Sequence, residues 1–295
     1  MIKHLVCSGS GPHGLSQLGI VVEYERQGFL DLKKLEKVYG CSAGSLLGII
    51  LLLDIPLDAV VDYITKRPWS KFMKVDFLQM NERGGVIHCE KIKDMLFPLL
   101  LAYDIPLDIT IKEAHARSSS EIELHIFSTN LENFKRVDFN VETFPDMPLM
   151  TACMLSCAVP PIFTVGVYEN ITYADGGLSD NFPLAALLEN SSKPDPSTVL
   201  CINMAGPLNK YTVGSPLIEL MTYLTNHVIL KMCDFYVNHD IAKSMCKHYI
   251  CHESESIWSK TLWDKFLYSE EGRKQLYDKG IELAQKHIKS LTLES

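Results

Sequence analysis

The first 53 residues run one local plan twice. Leu5-Val6-Cys7 is a short apolar run. It breaks at Ser8-Gly9-Ser10-Gly11-Pro12-His13-Gly14, and residues 15–28 then take helical spacing through Leu15, Leu18, Ile20, Val22 and Tyr24 up to Gly28. Lys37-Val38-Tyr39 is a second short run. It breaks at Gly40-Cys41-Ser42-Ala43-Gly44, and an apolar stretch from Leu46 to Leu53 follows. Strand, glycine turn, helix, repeated, is the arrangement of parallel strands with helices covering both faces. It predicts an α/β fold, a three-layer sandwich around a mostly parallel central sheet.

The rest of the chain fits one domain spanning 1–295, since no linker rich in Pro, Gly or Ser divides it. Residues 54–120 read as a helical insertion or cap. Asp54-Ile55-Pro56-Leu57-Asp58 recurs as Asp104-Ile105-Pro106-Leu107-Asp108, each copy following a leucine-rich stretch and restarting a helix with proline in its first turn. Residues 121–129 alternate as a strand, Val137-Asp138-Phe139 is another, and a helix from about 149 to 158 stops before Pro160-Pro161. Val199-Leu200-Cys201-Ile202 is a buried strand. A C-terminal helical segment covers about 215–291, and its last part, 270–291, is amphipathic through Leu276, Ile281, Ala284, Ile288 and Leu291.

Composition narrows the function classes. The net charge is −8 and no Lys/Arg-dense run appears, which argues against nucleic acid as a partner and against a polybasic membrane anchor. Contact with lipid must then rest on apolar surface or on substrate capture. The nine scattered cysteines read as reduced thiols of a cytoplasmic protein rather than a disulfide framework. The apolar N-terminal stretch is too short for a signal peptide. The Leu46–Leu53 run falls far short of the roughly 20 residues a membrane span needs.

Three stretches carry chemistry. Gly40-Cys41-Ser42-Ala43-Gly44 fits the G-x-S-x-G elbow, in which a strand turns sharply into a helix and holds an exposed serine in strained backbone. Small residues on either side relieve crowding, and the helix N-terminus favours developing negative charge. Gly9-Ser10-Gly11 opens a loop whose backbone amides would converge at a strand end and hold an oxyanion; Pro12 has no N–H to offer. Alone, that loop would serve a dinucleotide phosphate equally well, but no acidic ribose residue follows a second strand. Tyr173-Ala174-Asp175-Gly176-Gly177 places a carboxylate at a strand end, where it could take a serine proton directly. In isolation Asp-Gly-Gly is a plain turn.

Taken in order, these pieces resemble the patatin-like phospholipase family, over roughly residues 4 to 205. Ser128-Thr129-Asn130-Leu131, the stretch from Leu155 to Phe163, and Asp180-Asn181-Phe182-Pro183 are similar to further segments of that family. The resemblance implies a Ser-Asp dyad, with Ser42 as nucleophile and Asp175 as base, and a patatin-like sheet. It implies acyl-ester hydrolysis of phospholipids, lysophospholipids or acylglycerols through an acyl-serine intermediate, with no metal or cofactor. The expected partner is a lipid or acyl-ester substrate, met transiently at a membrane or lipid-droplet surface. Two residues depart from the family pattern: Ser10 stands where a second of three glycines is usual, and His13 where a lysine or arginine is usual. A lipid transacylase differs only in the acyl acceptor. A catalytically silent lipid-binding scaffold draws its only support from the altered loop.

Other candidates are weaker. His227, His239, His248 and His252 follow Asp175, the chain order that a histidine triad would need, yet none sits in a recognisable motif. Cys246, His248, Cys251 and His252 match no zinc spacing. Phe97–Leu101, with Tyr103 and Ile105, could face lipid as a lid, though core packing is the simpler reading.

Overall fold

The computed structural model describes residues 1–293 apart from 77–81, 190–193, 206–211, 215, 237–241, 243, 254 and 258. The strands are β1 (His4–Cys7), β2 (Lys37–Cys41), β3 (Glu123–Asn130), β4 (Lys135–Phe139), β5 (Gly166–Tyr168), β6 (Ile171–Asp175), β7 (Val199–Ala205) and β8 (His248–Glu253). The α-helices are α1 (Gly14–Arg26), α2 (Ala43–Leu52), α3 (Leu57–Lys66), α4 (Lys93–Ala102), α5 (Ile111–Arg117), α6 (Leu149–Ser156), α7 (Gly177–Asp180), α8 (Leu184–Glu189), α9 (Leu217–Tyr236), α10 (Lys260–Tyr268) and α11 (Glu270–Leu293).

The strands form one sheet in the order β5-β6-β3-β2-β1-β7-β8, with β4 also paired to β3. The block from β3 to β8 is parallel, as the repeated strand–turn–helix plan predicts. Successive residues point to opposite faces and bury both. Leu5, Cys7, Val38, Leu200 and Ile202 join the large core under α1, α2, α6 and the cap. Val6, Tyr39, Phe127 and Cys201 join a smaller one closed by Phe182, Leu184 and Leu187 from the α8 side. Helices therefore cover both faces, and the fold is the expected three-layer α/β sandwich.

One departure from parallel order builds the site. β2 pairs with the first part of β3, up to Cys41 opposite Phe127. β6 runs antiparallel along the last part of β3, with Asp175 opposite Ser128. β4 pairs with residues 126–130 of β3 and so overlaps both stretches. It must occupy the other edge, which leaves β2 and β6 abutting end to end on one edge of β3. The turn feeding β6 is a tight hairpin: Glu169 and Asn170 take φ of 48° and 64° between β5 and β6.

Between residues 54 and 120 the chain forms α3, α4, α5 and short 3₁₀ turns, and Leu57, Val60, Trp69, Leu99 and Leu100 share the core of the sheet. The repeated Asp-Ile-Pro-Leu-Asp ends helices as much as it starts them. Asp54 and Asp104 sit at φ of 53° and 52°. The Ile55 and Ile105 amides reach back to Ile50 and Leu100 at 3.2 and 2.9 Å, the same helix-closing pattern used twice. The first copy leads directly into α3. The second leads into a turn, and α5 begins only at Ile111, capped by Thr110 and Glu113. A second difference lies in the C-terminal segment expected to be helical, since β8 adds a parallel strand there beside β7. Phe97–Leu101 belongs to α4, with Leu99 and Leu100 buried and Pro98 and Leu101 exposed, Leu101 at 60%.

Candidate active site

Ser42 ends β2 and precedes α2, at φ 52° and ψ −119°. Such a backbone is strained for a residue with a Cβ, and its surroundings must enforce it. They do so by close contact. A Cβ on Gly40 would lie 2.5 Å from the Gly44 carbonyl oxygen, and one on Gly44 would lie 2.5 Å from the Cys7 carbonyl oxygen. The two glycines of the elbow are thus required by backbone-to-backbone approach rather than by flexibility. The Ser42 amide donates to Ser156 Oγ at 2.9 Å, and that hydroxyl donates to the Phe127 carbonyl at 2.6 Å. The Ser42 carbonyl takes the Ser45 hydroxyl at 2.6 Å and the first amide bond of α2.

Asp175 arrives from the opposite direction. Its side chain is buried and lines the same pocket as Ser42. The Gly177 amide holds Oδ1 at 2.8 Å. Burial pushes the Asp175 carboxyl up to about 6, against the pull of the Ser42 hydroxyl and the Gly177 amide. A carboxylate poised there is still ionised near neutral pH and accepts a proton with little penalty.

The glycine loop lies beside them. Its position is fixed at several points: the Ser8 amide donates to the Ile202 carbonyl at 3.1 Å, and Ser8 Oγ accepts the Met204 amide at 3.0 Å. Gln17 Nε2 donates to the Ser8 carbonyl at 2.8 Å. Of the three amides expected to face an oxyanion, that of Gly9 is already committed, donating to the Asn181 carbonyl at 2.9 Å while Asn181 Nδ2 returns a bond to the Gly9 carbonyl at 3.1 Å. Gly9 is therefore corrected from oxyanion donor to an anchor that ties the loop to Asn181. Among the described residues the Ser10 and Gly11 amides donate to no protein acceptor, and both residues line the pocket with Ser42 and Asp175. Backbone N–H groups away from bulk water are almost always paired, so two open amides beside Ser42, one on buried Ser10 and one on half-buried Gly11, could receive a substrate oxygen. His13 turns away: its Nε2 donates to the Glu255 carbonyl at 2.8 Å, and burial lowers its pKa, so it supplies no fixed positive charge.

The pocket above this group is apolar. Leu15, Leu18, Leu46, Leu47 and Ile50 form one wall, Ile64, Trp69, Met73 and Met95 another, and Ile257, Trp263 and Phe266 a third. The helix after Ser42 thus serves both as core and as lining.

The other candidates lie apart. His248 begins β8 opposite Leu200, at the sheet end far from Ser42; burial lowers it to about 4 and it faces Tyr24. His227 bonds the Tyr223 carbonyl within its own helix, and His239 falls outside the described residues. Cys246 packs its sulfur 3.1 Å from that of Cys201, and no cluster among the described residues groups three His, Cys, Asp or Glu side chains for a metal. Among the described residues no helix is long and apolar enough to cross a membrane. Sequence reasoning gave no role to Ser156, Asn181, Ser8 or Gln17. The first two stand inside stretches already similar to a family. The last two had no signal beyond their neighbourhood to the loop.

Comparison with known proteins bears on the family and the fold. A probable lipid hydrolase of Invertebrate iridescent virus 6 is 28% identical over 196 residues, 65% of this chain and 65% of its own length. An uncharacterised mimivirus protein, R571, is 23% identical over 195 residues, 65% of this chain and 63% of its own. The chain thus spans somewhat under two thirds of these relatives. Among solved structures, VipD from Legionella pneumophila superposes with a TM-score of 0.57 at 17% identity, covering 98% of this chain and 67% of that one, which shows a shared fold. The family model for patatin-like phospholipases matches residues 5–188, from β1 to the end of α8. The chain belongs to the patatin-like phospholipase family.

Proposed function

We propose that this chain hydrolyses acyl esters of lipids, with Ser42 as nucleophile and Asp175 as the base. The observation that carries the reading is the convergence of the two side chains on one pocket, where β2 and β6 meet end to end on β3 beside two open amides. The Ser42 oxygen attacks the ester carbonyl as Asp175 takes its proton, and the carbonyl oxygen becomes an oxyanion facing the Ser10 and Gly11 amides. Collapse breaks the ester C–O bond. The proton on Asp175 passes to the departing alkoxide, which leaves as an alcohol, and the acyl group stays on Ser42. A water then gives its proton to Asp175 and attacks the acyl-serine. Collapse of that second intermediate releases the fatty acid and returns the proton to Ser42.

Two features support a lipid substrate. The pocket walls are apolar and suit an acyl chain, and the family and the iridescent-virus relative carry lipid-hydrolysing names. A phospholipid, lysophospholipid or acylglycerol would satisfy them. A fluorophosphonate probe tests the nucleophile: it is expected to label the wild type at Ser42 and to leave Ser42→Ala unlabelled. Labelling that survives in Ser42→Ala would move the nucleophile elsewhere, and an unlabelled wild type would favour a silent lipid-binding role. Mass detection of products on a lipid panel then reads free fatty acid against transferred acyl groups, which separates hydrolase from transacylase.

A further inference from the structure

The segment from Trp69 to Val75 has two characters. Trp69 and Met73 turn inward, are 1% and 4% exposed, and wall the Ser42 pocket. Phe72 and Val75 turn outward at 41% and 46% exposure. Lys71 and Lys74 stand exposed beside them. Their basic neighbours are occupied: Lys66 pairs with Asp62, and Arg67 lies over the rings of Tyr63, Trp69 and Phe72. Lys71 and Lys74 make no ion pair among the described residues. In a chain of net charge −8, two unpaired lysines with two exposed apolar side chains on the pocket wall are a local arrangement rather than an echo of overall composition.

A second wall also turns apolar side chains outward. Ile229 of α9 is buried and lines the pocket, while Leu224 and Val228 of the same helix are 54% and 38% exposed. α9 packs on α7, the turn that follows Asp175. Single exposed apolar residues are ordinary on any soluble protein. Here they lie on the outer side of elements whose inner side lines the pocket, with lysines interleaved along residues 71–75. Apolar side chains and lysines together are what an anionic membrane interface binds: the first enter the headgroup boundary and the second meet its negative potential.

We propose that the outer sides of two walls of the Ser42 pocket, Lys71, Phe72, Lys74 and Val75 on one and Leu224 and Val228 on the other, seat the protein on an anionic lipid interface. The proposal rests on the lipid-ester reading for its purpose. A seat at the pocket wall shortens the path by which an acyl chain leaves the lipid layer for Ser42 and keeps that path out of water.

Flotation with phosphatidylcholine vesicles, with and without phosphatidylserine, tests it. The wild type is expected to partition better onto the anionic vesicles and to lose that preference as salt rises. Lys71→Gln with Lys74→Gln is expected to cut anionic partitioning roughly twenty-five-fold, a factor of about five for each lysine at ~1 kcal/mol apiece. Leu224→Ser with Val228→Ser is expected to weaken binding to both vesicle types. Hydrolysis of a soluble short-chain ester serves as the control for folding and chemistry, and both double variants are expected to match the wild type there. Equal partitioning of the wild type onto neutral and anionic vesicles would overturn the proposal, as would wild-type partitioning by the lysine variant. Wild-type partitioning by the Leu224/Val228 variant would remove α9 from the surface. A wild type that floats with vesicles yet cleaves no soluble ester would sink the hydrolytic reading instead.

Discussion

Two strand–turn–helix units stand side by side in the middle of the sheet and do opposite jobs. β1, its glycine loop and α1 present backbone amides, whereas β2, its elbow and α2 present a side chain. The difference lies in what the glycines meet. In the elbow, added Cβ atoms would strike main chain: Gly40 against Gly44, and Gly44 against Cys7, which belongs to the neighbouring unit. In the loop, a Cβ on Gly9 would strike the Asn181 side chain at 2.3 Å and come within 3.2 Å of the Ser42 Cβ. The elbow is therefore locked by the fold itself. Gly9 of the loop instead faces side chains and so can be disturbed without unfolding the protein.

The largest effect should come from the group that serves both units. Asp175→Asn keeps the shape but removes the proton acceptor, and its turnover of a soluble ester is expected to fall by about 10⁴. The same variant should be more stable. The folded carboxyl titrates near 6, above its unfolded value. Its contribution to stability is full below the unfolded value of about 3.9 and is lost as pH rises through about 6, leaving the ionised form costing about 2–3 kcal/mol at pH 7. Urea unfolding at pH 7 is expected to show Asp175→Asn gaining up to that amount, and the gain should vanish near pH 4. The wild-type rate should rise with pH through about 6 as the base ionises. A variant as active as the wild type would put the base elsewhere.

The next test separates the two units. Gly9→Ala pushes on Asn181, so turnover is expected to fall 10²–10³-fold, as when an oxyanion donor is displaced, with stability changed by less than about 1 kcal/mol. Gly44→Ala forces main chain apart and is expected to cost about 2–4 kcal/mol of stability before any kinetic effect is read. Kinetics and denaturant midpoints on both variants check the pair. If Gly9→Ala loses stability as Gly44→Ala does, the contrast between a locked elbow and an adjustable loop fails.

That contrast also separates what was legible in the sequence from what was not. The elements of both units, the nucleophile and the candidate base follow from local patterns, because strand length, glycine placement and helical spacing are local. The meeting of Ser42 with Asp175 depends on β6 sharing an edge of β3 with β2, and periodicity within a strand says nothing about which edge it joins. β8 escaped notice because His-Tyr-Ile-Cys-His-Glu is short and polar at both ends, and its place is set by pairing with β7. Gly9 counted as a donor because sequence shows an amide but not its acceptor, here the Asn181 carbonyl. Ser156 looked like one small residue among several; only the fold brings its hydroxyl between Ser42 and Phe127.

Ser156 marks the middle of the range. Its hydroxyl ties the elbow to β3, so Ser156→Ala leaves the Ser42 amide without its acceptor and the Phe127 carbonyl without its donor. One such buried bond is worth about 1–2 kcal/mol. A loss of that size in stability is expected, with turnover lowered about tenfold as Ser42 loosens. If stability drops and turnover does not, the bond supports the fold alone and the elbow needs no help from β3.

The smallest effect is expected where the loop departs from its family. Ser10 Oγ is buried and has no partner among the described residues, so it gains nothing from the protein around it. Leaving a hydroxyl unpaired costs about 1–3 kcal/mol. Ser10→Gly removes that cost and adds the backbone entropy of glycine, about 0.5–1 kcal/mol. The two nearly cancel, and the amide that faces the pocket stays. Turnover is expected within about threefold of the wild type, with the denaturant midpoint barely moved. A fall of tenfold or more would mean that the hydroxyl itself reaches the substrate. The loop would then present a side chain as the elbow does, and the division between the two units would need redrawing.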